Sequence, residues 1–201
     1  EPEGCWRPPD DYTRVLIGHA QLNARTLAML DHAQELYCLG GGYVDFRLAI
    51  TQGSYNAGGV AASFGTHDGG GAVDISVRSR INWEVLYNEI EPMIRALRTA
   101  GFAAWLREAS ELYPGSPIHI HAIAIGDRDA SEAARAQIDG PFGYLRGFDG
   151  LPQPDGRPRA DQHGGPIICQ WMREMGYDDL RGLPVPSPTP GGTAMPERIG
   201  S

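Results

Sequence analysis

No lysine occurs in this 201-residue chain. Its 17 basic residues are all arginine and face 25 acids, leaving a formal net charge of −8. An acidic chain without a basic run offers nothing to nucleic acid or to an anionic membrane. Cysteine is scarce too: Cys5, Cys38 and Cys169 form no CxxC or other close pair, which excludes a cysteine-based zinc site. One disulfide, expected between Cys5 and Cys169 and joining the two ends, would leave one free thiol. Three reduced thiols are an equally open alternative, so cysteine alone does not fix the compartment. No apolar run approaches the roughly 20 residues of a membrane helix, so no membrane span is expected. The chain starts at Glu1 without a charged-then-apolar leader, as a processed or trimmed chain would. Absent lysine beside abundant Ala, Gly and Pro also matches the coding bias of a GC-rich bacterial genome.

What is present suffices for one domain with a core: 41% of the residues are apolar. Residues 1–18 read as an arm, 19–182 as the folded domain, and 183–201, rich in Pro and Gly, as a tail. Apolar spacing predicts a helix over 20–37, stopped by the glycines at 40–42, and then a strand over 44–51. A polar, glycine-rich stretch over 52–71 is too long for an ordinary connection and reads as a functional loop. Beyond it come a strand over 72–77, an amphipathic helix over 83–99 containing Pro92, and strands over 102–107 and 118–125. Short helices are expected over 131–138 and 167–175, with 140–165 loop-like. Helices and short strands without a βαβ rhythm indicate the α+β class.

Two segments carry chemistry. In Ile118-His119-Ile120-His121-Ala122, strand alternation puts both histidines on one face and the apolar residues on the other. In the strand over 72–77, Asp74 shares a polar face with Ala72 and Ser76, while Val73, Ile75 and Val77 face a core. His67 precedes Asp74 by seven residues, about 10.5 Å on a straight helix and too far to share a metal. The glycines at 69–71 allow the chain to fold back and bring the two together; a mobile turn with an exposed His67 is the bland alternative. Two imidazoles and a carboxylate with a fourth position open are how zinc is held for catalysis. A water in that position would ionise near pH 7.

The segment Thr66-His67-Asp68-Gly69-Gly70-Gly71-Ala72-Val73-Asp74 resembles the signature of a zinc peptidase superfamily. That superfamily includes D-alanyl-D-alanine carboxypeptidases, phage L-alanyl-D-glutamate endolysins, vancomycin-resistance D,D-dipeptidases and the hedgehog signalling domain. Gly70, Ala72 and Asp74 fall in register with it, His119-Ile120-His121 resembles its His-x-His form, and Ile50-Thr51-Gln52-Gly53 resembles the strand end before the loop in the endolysin branch. The resemblance covers residues 44–126. It implies a small antiparallel sheet bearing Zn²⁺ on His67, Asp74 and His121, flanked by helices, with His119 as base or transition-state stabiliser. Three features depart from the pattern. Gly65 stands where Ser is usual. Ser54, Tyr55 and Asn56 stand where many members carry an Arg, which weighs against a D-Ala-D-Ala carboxypeptidase. Ile118 stands where some branches place a Glu base.

The expected function is hydrolysis of an amide bond in peptidoglycan stem or cross-link peptides by a zinc-bound water, in a secreted or cell-wall-associated monomer. The alternative is a non-catalytic, zinc-stabilised module of the same fold that binds cell wall or protein. Tyr55 is a candidate oxyanion partner, against the commoner case of a loop tyrosine covering the core. Arg47, Glu108, Glu111 and His163 are weaker candidates for positions around the site, each set against an ordinary surface role. His19 and His32 read as structural or solvated.

Overall fold

The computed structural model describes residues 1–59 and 63–185; most of the Pro/Gly-rich tail, residues 186–201, lies outside the described residues. Small antiparallel sheets and a few helices give a mixed architecture of the α+β kind. None of the helices is long and apolar enough to cross a membrane, among the described residues.

The chain enters through a hairpin of β1 (Arg14–Ile17) and β2 (Ala20–Asn23), closed by a two-residue turn in which Gly18 adopts φ +60°. Residues expected in an arm and in the first turn of a helix are thus paired strands, because Val15-Leu16-Ile17 and a glycine turn favour a hairpin. The helix α1 (Ala24–Leu39) begins only after Asn23, whose side chain accepts the Thr26 amide at 2.7 Å. Thr26, Met29, Leu30, Ala33 and Tyr37 form its buried stripe. Where a strand was expected over 44–51, Asp45 caps a single helical turn, α2 (Phe46–Ala49), and only β3 (Ile50–Gln52) is extended. Phe46 is drawn into this turn by burial against Tyr37 and by the Gln34 side chain, which accepts its amide.

The main sheet runs β3-β4-β6-β5, all antiparallel, with β4 (Ala72–Ser76) and β6 (His119–Ala124) at its centre and β5 (Phe102–Arg107) at one edge. The helix α3 (Tyr87–Thr99) packs on β5 and β6, and α1 packs on α3. It starts later than its apolar periodicity predicts, because residue 85 pairs with Arg78 and the Leu86 amide bonds to Val77. Val73, Ile75, Ile120, Ala122 and Ala104 sit in one core cluster with Met29, Leu30, Met93, Ile94 and Leu97. Burial of these side chains is what makes the strands near-continuously apolar and fixes their register.

After α4 (Glu132–Asp139), capped by Ser131, the segment expected to be loop-like is built: a 3₁₀ turn over Tyr144–Arg146 and a hairpin of β7 (Phe148–Pro152) and β8 (Pro158–Ala160). Glycines and prolines hide it from periodicity, while Trp105 and Arg107 hold its backbone: Trp105 Nε1 donates to the Phe148 carbonyl at 3.0 Å and Arg107 Nη1 to that of Asp149 at 2.9 Å. The short helix α5 (Gln170–Glu174) buries Trp171 and Met172, and the Cys5–Cys169 disulfide ties it to the start of the chain. Cys38 is free and exposed.

Candidate metal centre

Strand register builds the site. Asp74 lies opposite His121, and His121 opposite Trp105; one row along, Ser76 lies opposite His119, and His119 opposite Arg107. Facing residues of antiparallel strands point to the same side of the sheet. The face turned away from α3 therefore carries Asp74, His119, His121, Trp105 and Arg107 together. Both histidines and Asp74 are on the face their alternation predicts.

His67 arrives by the fold-back that its glycines allow. The Tyr55 amide bonds to the Gly69 carbonyl and the Asn56 amide to that of His67, both at 2.8 Å, so residues 53–56 run alongside 67–69. Gly69 and Gly70 are required by closeness: a Cβ on Gly69 would stand 2.2 Å from the Asp129 carbonyl oxygen, and Gly70 donates to that same oxygen at 2.7 Å. Gly71 holds φ +84°, which turns the chain into β4.

The result is a buried three-residue cluster, His67, Asp74 and His121, whose donor atoms lie within 4.8 Å of one another. Asp74 Oδ1 is 3.2 Å from His67 Nε2 and 2.7 Å from His121 Nδ1. His119 Nε2 stands 3.7 Å from Asp74 Oδ2. The three sit in a cleft of about 220 Å³, also lined by Gln52, Phe64, Tyr113 and Leu151.

Hydrogen bonds select the ring tautomers. His67 Nδ1 lies 2.8 Å from the Gly53 carbonyl, an acceptor only, so Nδ1 carries a proton and donates it. His119 Nδ1 makes the same bond to the Pro117 carbonyl at 2.8 Å. In the neutral rings both Nε2 lone pairs then face the Asp74 carboxylate. A lone pair set against an anionic oxygen is repulsive unless a proton or a metal cation lies between them. The protein's electrostatics carry the same signature. Burial opposes the charge of Asp74, but His67 and His119, with hydrogen bonds from His121 and His67, hold its carboxyl well below the usual range. Burial also opposes protonation of His67, yet the facing Asp74 and the Gly53 carbonyl raise it overall. His121 is pushed down to about 4 by burial and is neutral at physiological pH. Two imidazole nitrogens and one carboxylate oxygen converge, with the outer nitrogen of His67 held by the Gly53 carbonyl and that of His121 buried without a partner, and this donor set fits a divalent cation.

The other sequence candidates lie elsewhere. Tyr55, a candidate oxyanion partner set against the commoner structural role, is not among the residues lining the cleft. Its hydroxyl donates to Asp129 at 2.8 Å and accepts from Asn23 at 3.1 Å, so it braces the loop instead. Arg47 pairs with Asp31 on the surface, and His163 pairs with Glu91. His32 binds the Gly4 carbonyl, and His19 approaches the Thr51 carbonyl. Glu111 pairs with Arg159 and, with Glu108, belongs to the turn before β6. The carbonyls of Gly53 and Pro117, rather than glutamates, orient His67 and His119.

Two cleft residues carried no signal that single-chain reasoning used. Gln137 comes from α4, and Arg107 from the end of β5. Arg107 has the same parity as Trp105 on an otherwise apolar strand, the one available hint, but its meeting with His119 depends on the pairing of two strands. Burial pushes its guanidinium down to about 10, so it stays charged at neutral pH. Compared with protein-family profiles, curated protein sequences and solved structures, the chain gives no match.

Proposed function

We propose that the chain is a zinc-dependent peptidase that hydrolyses an amide bond in peptidoglycan peptides. The observation that carries this reading is the convergence of His67, Asp74 and His121 on one point in a cleft, with the Nε2 lone pair of His119 beside it. Support also comes from the resemblance of the His67-to-Asp74 and His-x-His motifs to the superfamily signature, and from a set of three protein ligands, which would leave a further position on a bound cation open. Imidazole and carboxylate donors together suit zinc.

When bound, the cation supplies Lewis acidity to a scissile carbonyl and lowers the pKa of a water. His67, Asp74 and His121 hold it, and the Gly53 carbonyl keeps the His67 ring in its binding tautomer. His119, fixed by the Pro117 carbonyl, accepts the water's proton at Nε2 and returns it to the leaving amine. Phe64, Tyr113 and Leu151 form the apolar part of the cleft wall. The Cys5–Cys169 bond suits a secreted protein in an oxidising compartment.

The test is metal content and muropeptide hydrolysis on the same preparation, for wild type and His119→Ala. The expected outcome is about one zinc per chain in both, with hydrolysis reduced by roughly 10²–10⁴-fold in the variant. Zinc in both without hydrolysis by wild type over a broad muropeptide panel would replace the peptidase with a zinc-stabilised binding module. Wild type without stoichiometric metal, purified free of chelator, would remove the zinc reading itself.

A further inference from the structure

Five buried side-chain nitrogens and oxygens make no hydrogen bond among the described residues, and three of them belong to residues that line the metal cleft: Nε2 of His121, Nη2 of Arg107 and Oε1 of Gln137. These residues are 5%, 2% and 3% exposed. One side chain gathers them. The Trp105 indole lies opposite His121 in register, 6.3 Å from its ring and inclined to it by only 12°. The Arg107 guanidinium stands 5.2 Å from the Trp105 ring, with Nη1 held by the Asp149 carbonyl. Gln137 reaches the edge of the same indole from α4: a Cβ on Gly150 would meet Gln137 Oε1 and the edge carbons of Trp105, each at 3.2 Å.

The nitrogen of His121 turned to Asp74 is Nδ1, at 2.7 Å, so Nδ1 is the atom that faces a cation. A neutral imidazole that gives its Nδ1 lone pair to a cation carries its proton on Nε2. Metal-bound histidines almost always donate that outer N–H to a carboxylate, a carbonyl or a water. His121 Nε2 has no protein partner to receive it, and Arg107 Nη2 and Gln137 Oε1 are left with the same costly deficit. Two N–H donors and one carbonyl acceptor are the complement of a single water, which accepts twice and donates once. Buried waters typically make about three such bonds. An anion would satisfy the two donors but would face the lone pairs of the Gln137 oxygen.

We propose that the zinc-loaded protein holds one water between His121 Nε2, Arg107 Nη2 and Gln137 Oε1, and that Gln137 is thereby a positioning residue for the ligand His121. Through that water, α4 orients a ring carried by β6. The proposal rests on the metal reading of the site and is independent of which bond, if any, the protein cleaves.

The test reads the His121 ring and the zinc affinity rather than turnover. In nitrogen-15-labelled, zinc-loaded wild type, long-range proton–nitrogen spectra should show His121 protonated at Nε2. That proton should exchange slowly and give a cross-peak to a long-lived water. Gln137→Met, similar in length but without the carbonyl, should raise the zinc Kd by about 10–100-fold, measured against a chromophoric chelator, and should speed exchange of the Nε2 proton. Gln137→Glu, which keeps an oxygen in place, should restore the slow exchange. A merely structural role for Gln137 would change stability while leaving the zinc Kd and the Nε2 proton of Gln137→Met as in wild type, and that outcome would overturn the proposal. So would a wild-type Nε2 proton that contacts no water, a measurement that needs no variant and decides the matter even if Gln137→Met fails to fold. Wild type that binds zinc without the water contact removes this proposal alone; wild type that binds no zinc removes the metal site as well.

Discussion

His67 is where proton and metal compete for the same lone pair. Its Nδ1 proton is fixed by Gly53, so metal can bind only at Nε2, and Asp74 raises the affinity of that nitrogen for a proton. The folded-state pKa lies above the ordinary histidine value, so the competing proton is bound at and below that value and leaves as pH rises through the raised one. Zinc affinity should therefore fall as pH drops from 8 to 5.5, by about tenfold per unit once His67 is protonated. Competition with a chromophoric chelator at several pH values would measure it, and a flat profile would contradict it. Gly69 is the second residue to test. A methyl there meets backbone atoms of Asp129 and Ser131, which cannot move aside as a side chain would. Gly69→Ala should displace the fold-back and lower zinc affinity roughly tenfold or more without altering a ligand.

The shared face of Asp74, His119 and His121 could be read from the chain because alternation along a strand is a local property that each segment declares by itself. The fold-back of His67 was legible only as a permission granted by glycine. Arg107 was not legible, because its place beside His119 is a fact about two strands 12 residues apart in sequence at their paired ends.

At the scale of elements, the long amphipathic helix α3 and the strands β4, β5 and β6 follow from periodicity to within a few residues. The errors fall where a cap or a turn overrides apolar spacing. Asn23 moves the start of α1 to residue 24, and Asp45 curls a stretch that reads as a strand. The β7–β8 hairpin escaped notice because its strands are held by partners distant in sequence rather than by a period-2 pattern. One side chain fastens its far end to α3. Arg98 donates to both Asp161 oxygens at 2.8 Å and to the carbonyls of Ala104, His163 and Gly165. Burial disfavours the Asp161 charge, but Arg98 and the backbone amides lower its pKa overall. The pair's stabilisation is complete above the ordinary carboxylate value and is lost as pH falls through the lowered one. Asp161→Asn leaves a buried guanidinium uncompensated and should cost about 3–5 kcal/mol at pH 7. The difference from wild type should shrink towards pH 2, as read from urea unfolding at both pH values.

At the scale of the molecule, the sequence offered Cys5–Cys169 beside the possibility of three thiols, and the structure has the bond. It closes a loop spanning 164 residues of sequence separation. The chain-entropy account attributes to such a loop about 5 kcal/mol, of which 2–4 is typically realised. Replacing both cysteines by serine should lower the urea midpoint accordingly, and reductant should do the same to wild type but nothing further to the variant. Zinc content should survive at temperatures where the variant remains folded, because no ligand touches the bond.

The position of that bond also decides how the molecule answers to traction. Every strand of the main sheet and every metal ligand lies between the two bonded cysteines. A pull applied at residue 1 and at residue 185 passes through the first few residues, the sulfur–sulfur bond and α5, then leaves along the chain. The sheet hangs off this line of force as a slack loop. Only when the bond is reduced does tension run through β4 and β6, so the redox state of one cystine determines whether mechanical load reaches the His67, Asp74 and His121 cluster.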